Sequence, residues 1–368
     1  MLSLPDNKIY VYLYTSIYTR MKLSYENTAE KKRFDYIDAA KGFCIWVVIY
    51  SHIHFDMTDY RIGIFLDSFF VQLYFFLSGM FFKPYSGLAE FTVKKIDRLI
   101  IPLLFFFLFA YLYDALSYGI YSLCGWDTSA YAGKSWRIWE IVRWGTSWHN
   151  SPLWFLTSLF EVNLLYYVLQ KLLGKGWLDA AVWILASVGY RLSTKGIVPP
   201  YFIGTTLVSL PFFRIGHWFR MGNMLDYSPR DKYVWGCLPL LAVAVWFLAR
   251  PLRLHELILP ASFLSFYFCS IGGTTIVVFL CKAAKRLPIL SFFGRYSLIV
   301  YGTHWCICHT WSSIVYTILP ESLAAYFIAF ALTAATEVPI ILLLRRYASC
   351  FIGEKELISS ARFKKPAA

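Results

Sequence analysis

Acidic residues are few in this chain. There are 22 Asp and Glu among 368 residues, and all charged residues together make up 15% of the sequence. A soluble domain carries about 25%. With 58% of residues hydrophobic, a water-facing surface around one ordinary core is excluded. A cysteine framework is missing too. The eight Cys are scattered and lie mostly inside apolar segments, where Cys behaves as a small hydrophobe, so no disulfide scaffold or zinc spacing follows. Cys306-x-Cys308 beside His304 and His309 does not alter this, because residues two apart on a helix point away from each other; no metal is expected. Internal repeats, an attached soluble domain and the basic-then-apolar start of a cleavable signal are also lacking. The net charge of +13 comes without a basic stripe interleaved with aromatics on a polar module, so no nucleic-acid partner is expected.

What is present is a series of apolar segments of about 20 residues, the length that crosses the hydrocarbon core of a bilayer. The expected fold is an all-α polytopic membrane protein of about ten transmembrane helices, near 38–57, 63–83, 99–123, 152–173, 177–193, 201–222, 233–249, 258–281, 291–316 and 322–345. The span at 177–193 is short, and 201–222 carries Pro211, Arg214 and His217. Basic residues gather in alternate connections: Lys31, Lys32 and Arg33, then Lys94, Lys95 and Arg98, then Lys175, Arg230, Lys232, Lys282, Lys285, Arg286 and Arg346. By the positive-inside rule, both termini are cytoplasmic. Residues 1–33 read as an N-terminal tail, 34–345 as the membrane domain and 346–368 as a short basic tail. The one long outer loop, about 124–151, holds Trp126, Trp136, Trp139, Trp148 and His149. These tryptophans fit a belt at the headgroup level or a surface that stacks on a sugar ring.

Four polar constellations interrupt the apolar pattern. At about 100° per residue, Asp38, Lys41, His52 and Asp56 fall on one stripe of the first span. A charged stripe in hydrocarbon must face protein or a wet cavity. His52 lies about 20 Å along the helix from Asp38, and a neutral imidazole held in one tautomer by Asp56 can take a proton from a hydroxyl. At the start of the third span, Lys95 and Arg98 share a face at i, i+3 and suit a phosphate clamp or a topological anchor. Glu161 sits about nine residues into the span that opens with Trp154, near mid-membrane, where a carboxylate needs a partner. Gly294, Ser297, Tyr301 and His304 recur at helical spacing as a small and polar ridge, and Ser78-Gly79 reads chiefly as helix packing.

Taken in order, these motifs resemble the membrane acyltransferase 3 family, whose members O-acylate sugars and surface glycans. The matching pieces are Asp38, Lys41-Gly42 and His52; Ser78-Gly79; Lys95, Arg98, Leu99 and Pro102; Trp154 and Glu161; and Gly294, Ser297, Tyr301 and His304. Within the family the sequence looks closest to the fucose 4-O-acetylase-like branch. Lys41 and Lys95 stand where Arg is commoner, which removes a bidentate phosphate contact at those positions.

The resemblance implies an inner-membrane enzyme that moves an acyl group, expected to be acetyl, from cytosolic acetyl-CoA to a sugar hydroxyl of a lipid-linked or exopolysaccharide precursor. Acyl-CoA is then a co-substrate rather than a bound cofactor. His52, Glu161 and Asp38 would be catalytic, with Lys41, Lys95 and Arg98 on the acyl donor. Asp56, Ser78, Trp154, Ser297, Tyr301 and His304 would be supporting. Membrane lipid is a further partner. A transporter or flippase of a glycan intermediate is the alternative, since it too would use membrane acids and bases.

Overall fold

A computed structural model of the chain describes residues 34–53, 60–83, 85–222, 232–284 and 286–359. The described residues are helical apart from connections and two isolated β-bridges. The helices are α1 (Asp35–His52), α2 (Arg61–Asp67), α3 (Phe70–Met80), α4 (Leu88–Lys95), α5 (Ile101–Leu123), the short α6 (Glu140–Trp144), α7 (Trp154–Leu172), α8 (Lys175–Thr194), α9 (Ile203–Met221), α10 (Lys232–Leu248), α11 (Phe263–Ala283), α12 (Pro288–Arg295), α13 (Ser297–Ile318) and α14 (Leu323–Tyr347). Among the described residues, five helical stretches are long and apolar enough to cross a membrane: Arg61–Met80, Leu88–Leu123, Ser151–Leu172, Phe263–Ala283 and Leu323–Tyr347. This is an all-α polytopic membrane protein. Helical hydrogen bonding satisfies the backbone that lipid cannot.

α1 lies inside the bundle and packs against α3, α11, α12, α13 and α14. Backbone contact is what seats it. A methyl group at Gly42 would meet the Leu290 carbonyl oxygen at 1.8 Å, and one at Gly294 would meet the Asp38 carbonyl oxygen at 1.7 Å. α3 and α9 cross in the same way: a methyl group at Gly79 would meet the Phe213 carbonyl oxygen at 1.9 Å, and one at Gly216 the Phe76 carbonyl oxygen at 1.9 Å. Without a hydrophobic drive between helices in lipid, such close approach supplies the dispersion contact. Ser78-Gly79 therefore works in packing through Gly79.

Several predicted boundaries differ. The first helix runs from Asp35 to His52 and is capped by an extended Ile53, so the 100° period does not carry past His52. Asp56 lies outside the described residues. The segment at 63–83 breaks at Ser68–Phe69 into α2 and α3, and the one at 291–316 breaks at Tyr296 into α12 and α13. The Gly294–His304 ridge is consequently shared by two helices. Residues 258–262 form a connection, and α11 starts only at Phe263, where the Ser262 hydroxyl caps it by accepting from Ser265 N.

Candidate active site

The His52 and His304 rings lie 5.2 Å apart between their centroids, brought together by α1 and α13. His52 is the last residue of α1 and is half-buried, with the Trp305 ring also 5.2 Å away. His304 is fully buried. Its Nδ1 sits 3.0 Å from the Val300 carbonyl and 2.8 Å from the Tyr301 carbonyl. Carbonyl oxygens only accept, so Nδ1 carries the hydrogen and Nε2 carries the lone pair. That Nε2 is buried with no hydrogen-bond partner among the described residues. Beside it, the Thr303 hydroxyl is shared between the Ile299 carbonyl at 2.9 Å and Glu337 Oε2 at 2.8 Å.

Below the histidines, toward the start of α1, the predicted residues converge on α1, α3 and α13. The Tyr74 hydroxyl donates to the Lys41 carbonyl at 2.8 Å and is hydrogen-bonded to the Ser297 side chain. The Lys41 ammonium stands 5.3 Å from the Phe81 ring. Asp38 is buried one turn earlier. Ser78 accepts from Asn163 Nδ2 at 3.3 Å, which ties α3 to α7. Tyr301 packs 6.0 Å from His304 and 5.7 Å from Phe155. Lys41, Tyr74, Ser78, Ser297, Tyr301 and His52 are each partly buried.

Two constellations have surroundings that spacing does not show. Ile96–Ile100 forms a π-helical turn between α4 and α5, so the winding from Lys95 to Arg98 is wider than an α-helical i, i+3 step. The Lys95 ammonium turns inward to 5.5 Å from the Phe91 ring, whereas Arg98 is exposed. Glu161 belongs to a second polar group, between α7 and α9. Its Oε2 accepts from Thr206 Oγ1 at 2.7 Å, and Thr206 in turn meets Ser158 Oγ at 3.0 Å. That bond joins Glu161 to α9 rather than to the histidine pair.

Trp154 opens α7 against Phe202 at 5.8 Å and His255 at 6.0 Å. The rim around it is strained. Tyr201, Phe202 and Leu257 have φ of 55°, 62° and 56°, a region that costs bulky residues energy and persists where surroundings over-determine it. In the 124–151 loop, Trp126, Trp139 and Trp148 are exposed, which leaves both the belt and the sugar-stacking roles open to them. Trp136 instead packs inward, 4.9 Å from His149.

The structure adds pairings that sequence reasoning missed. Asp114, on α5, accepts from Lys134 Nζ at 2.5 Å and from His149 Nδ1 at 2.7 Å, while His149 Nε2 meets the Ser135 carbonyl at 3.0 Å. The neighbouring Asn150 donates to the Gly302 carbonyl at 2.8 Å, pinning this loop to the first half of α13, next to His304. At the opposite end, Arg214 grips Asp179 through Nε at 2.5 Å and Nη2 at 3.0 Å and donates to the Tyr166 hydroxyl, which is hydrogen-bonded to His217 Nδ1 at 2.6 Å. An acid inside an apolar span is a usable signal for Asp114. Nothing in helical periodicity points to partners 20 and 35 residues away. Among the described residues, no group of three His, Cys, Asp or Glu is placed to hold a metal ion. A groove of about 590 Å³ opens beside Thr194, Gly196 and Glu256 and includes none of the candidate residues.

A family model for an acyltransferase domain, Acyl_transf_3, matches residues 34–342. No curated protein and no solved structure matches the chain.

Proposed function

Because the chain belongs to the Acyl_transf_3 acyltransferase domain family and is therefore a membrane acyltransferase, we propose that it moves an acetyl group from acetyl-CoA to a hydroxyl of a sugar or glycan precursor. The observation that carries this reading is the histidine pair, two imidazoles 5.2 Å apart inside a membrane bundle, one of them with an Nε2 that has no hydrogen-bond partner among the described residues. In the proposed reaction, His52 takes the proton of the acceptor hydroxyl as its oxygen attacks the thioester carbonyl. The new C–O bond forms, the C–S bond breaks, and the proton passes from the imidazolium to the departing thiolate. Atoms and charge balance without a metal or redox partner. His304, locked as a single tautomer, orients His52 or the attacking hydroxyl through Nε2.

The basic end of the bundle supports a nucleotide-bearing donor. Arg98 is exposed there, and the guanidinium is suited to phosphate oxygens. In this reading the pantetheine arm runs along the side of Lys41, Tyr74 and Ser297 toward His52. With that end cytoplasmic, both termini lie in the cytosol and the 124–151 loop lies outside, in an inner membrane. The exposed tryptophans of that loop suit an acceptor sugar. Family membership favours acyl transfer over transport of a glycan.

The test is His52→Ala with acetyl-CoA and glycan extracts, read by mass spectrometry. Loss of a positioned base should lower transfer by about 100-fold or more. Near wild-type transfer would remove His52 from the mechanism. Glycan movement without release of coenzyme A would restore the transporter reading.

A further inference from the structure

After α14 the chain turns back and straps across the segment that carries Arg98, beyond the stretch matched to the family, which ends at residue 342. Phe351 stacks on Phe105 of α5 with centroids 5.7 Å apart, and Ile352 is buried. Gly353 has φ of +72°, and a methyl group there would stand 3.5 Å from the Arg98 carbonyl oxygen. The strap backbone thus passes directly against Arg98 in a conformation that favours glycine. Glu354 meets Arg345 at 2.9 Å and Glu356 meets Lys94 at 3.3 Å. The innermost tie is Asp97, in the π-helical turn beside Arg98 and only 2% exposed. Its Oδ1 accepts from the backbone N–H of Leu357 at 2.9 Å and of Ile358 at 3.0 Å.

These contacts differ in weight. Pairs such as Lys94–Glu356, with side chains 26% and 42% exposed, contribute little. A buried carboxylate that accepts two amide hydrogens is charge-assisted, and its loss strands the donors. A π-turn is the least regular part of a helix and is held by what surrounds it. We propose that Asp97 is a positioning residue for the acyl-donor site: by clasping residues 357–358 it fixes the strap on the π-turn and so presents Arg98 to the donor phosphates. This rests on the reading of Arg98 as a phosphate contact.

The experiment measures binding of coenzyme A and of pantetheine, which has the same arm without phosphates, to the full chain in nanodiscs. Asp97→Ala should weaken coenzyme A binding by about tenfold and leave pantetheine binding unchanged, while Asp97→Asn, which keeps Oδ1 as an acceptor, stays near wild type. Leu357→Pro removes one of the N–H donors without touching Asp97 and should shift coenzyme A in the same direction. It also serves if Asp97→Ala does not accumulate as folded protein. Equal weakening of both ligands would mark Asp97 as a general structural residue and overturn the proposal. If Arg98→Ala weakens coenzyme A but neither strap variant does, the positioning role alone is overturned. If Arg98→Ala binds coenzyme A as wild type does, the donor-site reading fails and takes the positioning role with it.

Discussion

A buried imidazole that hands its Nδ1 hydrogen to backbone carbonyls has one remaining use for its other nitrogen, as an acceptor. His304 is in that condition, with Nδ1 engaged at 2.8 Å and 3.0 Å. Replacing it by Phe keeps the ring volume and removes the lone pair. Transfer should fall by about 100-fold with the thermal transition little changed, and a fully active His304→Phe protein would assign the residue to packing. Asp114 is a second case decided by single atoms. It is buried between Lys134 and His149, so Asp114→Ala strands both partners and should cost about 3–5 kcal/mol; chemical or thermal denaturation in detergent measures this. Lys94→Ala, at a mostly solvated pair, should cost under about 1 kcal/mol. His255, in the connection before α11, has its pKa held below the ordinary 6.5, chiefly by burial and partly by Arg253, against the opposing pull of Glu256. The unfolded chain therefore takes up the proton first. Stability falls as pH drops below about 6.5, and the loss should be smaller in His255→Gln when melting at pH 7.5 and 5.5 is compared.

Helices in this bundle meet through backbone as much as through side chains. The α1–α12 contact leaves no space for a methyl group at Gly42 or Gly294, since either would overlap a carbonyl. Gly42→Ala should therefore part the helices and cost about 3 kcal/mol, with the His52–His304 spacing and transfer lost together. Gly119, inside α5, has nothing within 4 Å of an added methyl. Gly119→Ala should leave transfer intact and stabilise the helix by about 0.5–1 kcal/mol. Melting of the purified protein separates the two. The elements also show what spacing alone leaves out at the basic pair. Lys95 ends α4, Arg98 lies in the π-turn at Ile96–Ile100, and the first is half-buried while the second is exposed. That turn leaves no mark in an apolar sequence. Hydrophobic length, in contrast, is written residue by residue, and the spans at 152–173, 177–193, 201–222, 233–249 and 322–345 match their helices to within about two residues at each end.

At the scale of the molecule, orientation can be tested with cysteines already in place. Cys124 is exposed at the end of α5, and Cys350 is half-buried at the start of the strap. With both termini cytoplasmic, an impermeant maleimide added to intact cells should label Cys124 and spare Cys350, and Cys350 should react only after the membrane is opened. The reverse pattern would invert the topology and put the proposed donor side outside. The sequence by itself determined that this chain must cross a membrane as helices and that charged and imidazole groups must lie within the spans. Both follow from hydropathy and the fixed 3.6-residue winding, which are local. Only the tertiary structure decided which polar groups meet. His52 met His304 on a helix more than two hundred residues later, Glu161 met Thr206, Asp114 met His149, and Asp97 met the strap. Those meetings depend on helix contacts and backbone breaks across the whole bundle, and one-dimensional spacing holds no record of them.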